Sequence, residues 1–81
     1  MITAKEAMKM IVDNQESPAL NYAVNYAKAG LSMDENSHEF KVQCLYVVNN
    51  ISNWRTTKAF PIPKEQIKEA RQSLKKAGGI K

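Results

Sequence analysis

The sequence predicts an all-α fold, a compact bundle of about four short amphipathic helices. Apolar residues recur at three- and four-residue spacing in four separate stretches, and each stretch is flanked by helix-start or helix-stop residues. Length sets the scale: 81 residues hold one hydrophobic core and not two, so residues 1–81 form a single helical domain. Hydrophobic residues make up 43% and charged residues 25%, the balance of an ordinary globular domain. That balance excludes a disordered chain, a collagen-like repeat and a disulfide scaffold.

The first helix is expected over residues 4–14. Thr3 followed three residues later by Glu6 is a capping box, in which each side chain satisfies an amide of the other's backbone. Ala4, Ala7, Met8 and Ile11 supply the apolar stripe, and Lys5, Glu6, Lys9 and Asp13 the wet face. A second helix is expected over 18–29, with Ser17 as N-cap and Pro18 at the first helical position. Leu20, Ala23, Val24 and Ala27 form a narrow stripe of mostly small residues, and Gly30 is placed to end the helix in the left-handed conformation.

Ser32 and Glu35 form another capping-box pair and predict a third helix over 33–54. Phe40, Cys44, Val47, Val48, Ile51 and Trp54 fall within an arc of about 120° on its wheel. A buried strand over Val42–Val48 is the rival, given the β-branched and aromatic residues there. It loses because the helical face persists over roughly four turns and a lone strand leaves its backbone unpaired.

Residues 55–62 are expected to be a linker, since Pro61 and Pro63 each disfavour a helical predecessor. Phe60 and Ile62 are expected to pack back onto the body. The last helix is placed over 63–77, with Pro63 at its first position, an Ile67, Ala70, Leu74 and Ala77 stripe, and Gly78-Gly79 as its stop. The linker leaves open whether this helix docks on its own bundle or on a second copy. Ile80-Lys81 are expected to fray.

Chemistry at a site is hard to build from this composition. His38 is the lone histidine and Cys44 the lone cysteine, so Zn-type ligand spacing is missing and no metal or other cofactor is expected. Asp34, Glu35 and Glu39 read as carboxylates complementing a helix N-terminus. Cys44 lies on the apolar face, where a thiol is an inert small hydrophobe. None of the three glycines sits in a phosphate-cradling loop. The expectation is therefore a non-enzymatic binding module with no catalytic residue and no small-molecule substrate. The longest unbroken apolar run, Cys44–Val48, is five residues, far short of the roughly 20 of a membrane span. Together with the lone cysteine this predicts a cytoplasmic protein without a membrane partner.

Charge is divided unevenly. Residues 1–54 carry four lysines against six carboxylates, a net −2, whereas residues 55–81 carry eight cations against two carboxylates, a net +6. Lys64, Lys68, Arg71 and Lys75 fall within about 60° on the last helix, with Arg55 and Lys58 close by in sequence. Such a row could follow phosphates, so these six residues are the candidate nucleic-acid-binding set. A helix-turn-helix spanning Ala27–Ser32, Ser37 and Phe40 is the competing DNA-binding arrangement. Asn36 at an anchor position and the acids Asp34, Glu35 and Glu39 count against it. Val42, Tyr46, Tyr22 and Tyr26 lie off the main apolar arcs and are the candidate protein interface. A protein partner or self-association is the favoured expectation and nucleic acid the alternative, because the acidic body repels DNA.

Ala19–Gly30 (ALNYAVNYAKAG) and Val42–Arg55 (VQCLYVVNNISNWR), followed by Ala70-Arg71 and Leu74-Lys75, resemble small uncharacterised helical proteins of phages, prophages and similar mobile elements. That resemblance covers about half the chain and implies a cytoplasmic accessory protein. It carries no catalytic residue across.

Overall fold

The computed structural model describes residues 2–79, and the expected fraying of Ile80-Lys81 lies outside them. Four α-helices form: α1 over Ala4–Asp13, α2 over Ala23–Leu31, α3 over His38–Asn49 and α4 over Lys64–Ala77. No strand occurs among the described residues, so the Val42–Val48 stretch is helical. α1 packs against α2 and α4, and α3 packs against the same two. The helices thus close a ring around one core, with α4 docked on its own chain.

α1 starts as expected. The Glu6 amide donates to Thr3 Oγ1 (3.1 Å) and the Thr3 amide to Glu6 Oε1 (3.2 Å), completing the capping box. Ala7, Met8 and Ile11 are fully buried. α1 and α3 end by one device. Asn14 Nδ2 donates to the Met10 carbonyl (2.7 Å) and Asn50 Nδ2 to the Tyr46 carbonyl (2.8 Å). Each side-chain amide adds a bond to a last-turn carbonyl, and the Met10 carbonyl also accepts from the Asn14 backbone amide (3.1 Å). Ser32 Oγ does the same for Ala29 at the end of α2 (2.9 Å).

Three boundaries depart from expectation. The helix expected over 18–29 is split: Pro18–Leu20 is a single 3₁₀ turn, and α2 begins only at Ala23. Ser17 places no side-chain bond on that turn. Gly30 is not a left-handed stop but lies inside α2, which runs on to Leu31. Its missing side chain serves packing, since a Cβ there would stand 2.5 Å from Met8 Sδ. The left-handed glycine is instead Gly79, with φ +85°.

The third helix is shorter at both ends than the expected 33–54. Ser32 caps α2, so the Ser32–Glu35 capping box does not form, and Ser37 takes the N-cap by accepting from the Phe40 amide (3.1 Å). Asp34 Oδ1 turns the chain in between by accepting from the Asn36 amide (2.9 Å). Beyond Asn49 the backbone leaves the helix but keeps its direction through successive three-residue turns. The Ile51 amide donates to Val48 (3.3 Å) and the Trp54 amide to Ile51 (3.0 Å). Ile51 and Trp54 are therefore buried with Phe40, Cys44 and Val47, although they stand outside the helix.

The segment expected to be a linker is tied down. Thr57 and Phe60 exchange two bonds, the Thr57 amide to the Phe60 carbonyl (3.2 Å) and the Phe60 amide to Thr57 Oγ1 (3.0 Å). Thr56 Oγ1 donates to the Ile62 carbonyl (2.6 Å). Ile62 packs on the core as expected, whereas Phe60 is half-buried and stands outside it. Pro63 is the N-cap of α4, one position before its expected place, and its carbonyl accepts from the Gln66 and Ile67 amides. Ile67, Ala70 and Leu74 close the core from this side.

Gly30→Ala tests the close approach of α1 and α2. Helix propensity alone favours alanine by about 1 kcal/mol, while overpacking a filled core costs about 1–3 kcal/mol. Met8 is fully buried, and its thioether must move by about 1 Å within a close-packed interior. A net loss of about 1 kcal/mol is expected, read as a lower urea midpoint. A raised midpoint refutes the packing role.

Candidate nucleic-acid interface

α4 presents three flanks. Ile67, Ala70 and Leu74 face the core, Glu69 and Lys76 border a half-open hollow of about 460 Å³ near Ile2 and Phe40, and Lys64, Lys68 and Arg71 face the segment that follows α3. On this last flank lies a half-open depression of about 670 Å³. One wall is the first two turns of α4, contributing Lys64, Lys68 and Arg71, and the other is the turn carrying Arg55. Trp54 and Ile67 line the floor, and Ser52 and Thr56 the rim; no carboxylate lines it.

Four of the six basic residues singled out in the sequence are thus brought together, from two separate elements. Lys58 and Lys75 do not line the depression. Lys58 sits in the Thr57–Phe60 turn and Lys75 a full turn beyond Arg71. Both are exposed. Sequence reasoning missed Ser52, Trp54, Thr56 and Ile67. The adjacency of Trp54 and Arg55 was the available signal, with the indole inward and the guanidinium outward.

Arg71 differs from the other three. Lys64, Lys68 and Arg55 are exposed, whereas Arg71 is half-buried. Its Nη2 donates to the carbonyls of Ile51 (3.1 Å) and Trp54 (3.3 Å). These bonds fix the planar fork of a side chain that lines the depression. Lys64 is the first residue of α4, so the positive end of the helix dipole adds to the field of these cations.

The candidate protein interface lies on α2, α3 and the turn before α2. Tyr26 and Tyr46 meet, with ring centroids 5.3 Å apart and planes tilted by 32°. Gln43 Nε2 fastens the two helices beside them by donating to the Tyr26 carbonyl (2.8 Å). Tyr22 is 79% exposed, Tyr46 47% and Tyr26 38%, and Val42 is half-buried.

Other chemistry finds little support in the geometry. Cys44 is fully buried, and burial pushes its thiol up to about 11, so it stays protonated and shielded at neutral pH. His38 is exposed at the start of α3. Among the described residues, no group of three His, Cys, Asp or Glu side chains stands together to hold a metal ion. Among them too, no helix is long and apolar enough to cross a membrane. Six residues, Ser32–Ser37, separate α2 from α3, longer than the three- or four-residue turn of a helix-turn-helix. Asp34, Glu35 and Glu39 are exposed at that end.

The double role of Arg71 is testable. Arg71→Ala removes a charged donor from two carbonyls and is expected to cost about 1–3 kcal/mol. For a domain of this size each kcal/mol lowers the melting temperature by about 4–8 °C. Lys64→Ala and Lys68→Ala, at exposed positions, should stay within about 0.5 kcal/mol of the parent. Equal melting temperatures for all three variants would remove the structural role from Arg71.

Compared with protein-family models, with curated proteins and with solved structures, the chain matches none.

Proposed function

We propose that this protein is a non-catalytic binding module that engages the phosphate backbone of nucleic acid through the depression between α4 and the turn after α3. The observation that carries this reading is the convergence of Arg55, Lys64, Lys68 and Arg71 on one concave surface lined by no carboxylate. Isolated surface cations are solvated and contribute little. Cations gathered in a concave site act on the same ligand, and each neutralised phosphate releases a condensed counterion.

Binding is measured by fluorescence anisotropy with labelled oligonucleotides, single-stranded and duplex. Three or four phosphate contacts predict an affinity that falls about 20- to 50-fold for a single strand and about 40- to 150-fold for a duplex between 50 and 200 mM salt. Arg55→Gln, Lys64→Gln and Lys68→Gln in combination should weaken binding at least tenfold. Arg71 is left in place because it also holds the fold. No binding of either strand form at about 50 mM salt, where electrostatic contacts are strongest, refutes the reading.

A second reading, contact with another protein chain, is favoured by the exposed tyrosines. Tyrosine is enriched at protein interfaces because its ring is apolar while its hydroxyl tolerates water. If the partner is a second copy, sedimentation shows a mass that rises with concentration, and Tyr22→Ser with Tyr46→Ser restores the monomer. A constant monomer mass up to about 100 μM, equivalent to a Kd weaker than about −5.5 kcal/mol, removes self-association.

A further inference from the structure

We propose that the depression selects single-stranded nucleic acid over duplex, an inference that rests on the phosphate-binding reading of the same site. The cations do not form a straight track. Lys64, Lys68 and Arg71 stand on one wall and Arg55 on the other, across a floor of Trp54 and Ile67. A ligand that meets all four must enter the concavity. Duplex DNA is a stiff rod on this scale, with a persistence length of about 50 nm, and it rests on the rim of a depression this small. A single strand has rotatable backbone bonds and can run between the walls, with phosphates toward the cations.

Two further observations point the same way. Lys75, which would extend a linear track along α4 for a duplex, does not line the depression, and Arg71 has its Nη2 turned toward backbone carbonyls. The opposite flank of α4 presents Glu69, which borders a hollow shared with Glu35 and Lys76. Two carboxylates against one lysine oppose a broad, doubly charged ligand more than a narrow one. The floor between the cations is apolar, and an unpaired base can turn its face or edge toward it, whereas a paired base cannot. Trp54 and Ile67 are only 3% and 5% exposed, so they offer a base little surface to stack on. Preference is therefore for strand form, with little for base identity.

The test titrates the whole protein into labelled oligo-dT of about 12 nucleotides, a duplex of equal length and a labelled mononucleotide, at about 50 mM salt. Single-stranded DNA is expected to bind at least tenfold tighter than duplex and at least 100-fold tighter than the mononucleotide. Its salt slope should lie between about −2 and −3, for three or four contacts. The combined Arg55→Gln, Lys64→Gln and Lys68→Gln variant should lose at least tenfold in single-strand affinity with an unchanged melting temperature. The combined Lys9→Gln, Lys28→Gln and Lys41→Gln variant removes the same charge outside the depression and should stay within about threefold of the parent. Equal or tighter duplex binding overturns the strand preference and leaves the phosphate site standing. Equal mononucleotide binding overturns it in favour of a free nucleotide. Binding of no probe defeats both readings, and equal losses in the two triple variants place the contacts elsewhere.

Discussion

The bonds from Arg71 to Ile51 and Trp54 hold together the half of the molecule in which the depression lies. α3 ends at Asn49, yet the chain must still carry Ile51 and Trp54 into the core, where they are 0% and 3% exposed. Burying two large side chains on a non-helical segment leaves backbone carbonyls near the interior without helical partners, and an unpaired buried carbonyl is costly. The Trp54 amide takes the Ile51 carbonyl (3.0 Å), and the Arg71 guanidinium takes both carbonyls from across the helix interface. Arginine suits this better than lysine because its fork makes several bonds at fixed angles and keeps donors for a ligand. The same bonds fix Arg55, the residue after Trp54, opposite Lys64 and Lys68.

The core was legible in the sequence because burial depends on which side a residue faces, and side is conserved even where the helix is not. Phe40, Cys44, Val47, Val48, Ile51 and Trp54 were grouped on one helical arc; Val48 is half-buried against the core and the other five are buried, although two of those lie beyond the helix. Three-residue turns advance the chain in nearly the same sense as helical ones, so the arc survives the change in hydrogen bonding. Leu20 is likewise buried on a 3₁₀ turn. The boundaries were less legible because two local signals competed. Ser32 with Glu35 satisfies the capping-box pattern, but the Ser32 hydroxyl is engaged by the Ala29 carbonyl as α2 closes. Ser37, without an acid three residues on, takes the cap. Gly30 was misread for a related reason: a glycine needed for close contact with Met8 looks identical in sequence to one needed for a positive φ.

Helical spacing located the cations on one flank of α4 but could not show where that flank becomes concave. Lys64, Lys68, Arg71 and Lys75 are equivalent on a wheel. In three dimensions the turn after α3 faces only the first two turns of α4, so Lys64, Lys68 and Arg71 gain a facing wall and Lys75 does not. Arg55 and Lys58 were equally near in sequence. Arg55 follows a residue anchored in the core, while Lys58 is held in the Thr57–Phe60 turn, and only Arg55 reaches the depression. None of this is encoded in spacing, because it depends on contacts between residues 17 and 20 positions apart.

Gathering four cations around one hollow also sets a cost that the rest of the chain must cover. At water-like dielectric two unit charges about 8 Å apart repel by about 0.5 kcal/mol, and at an effective dielectric near 20 by about 2 kcal/mol. The depression is half open, and Arg55, Lys64 and Lys68 are exposed, so solvent holds this repulsion toward the lower figure. Arg71 is partly removed from the cluster by its backbone acceptors, which draw on its charge. The same geometry that keeps the cluster tolerable without a ligand leaves room for an anion to do better. A phosphate between the walls replaces cation–cation repulsion by attraction to each wall at once. Under the proposed function a phosphate would bind the folded chain and not the unfolded one, in which these residues are far apart, so occupancy would add to stability by mass action. A hollow of this composition is thus under strain in one specific sense: like charges share one concave surface with no carboxylate among its lining residues.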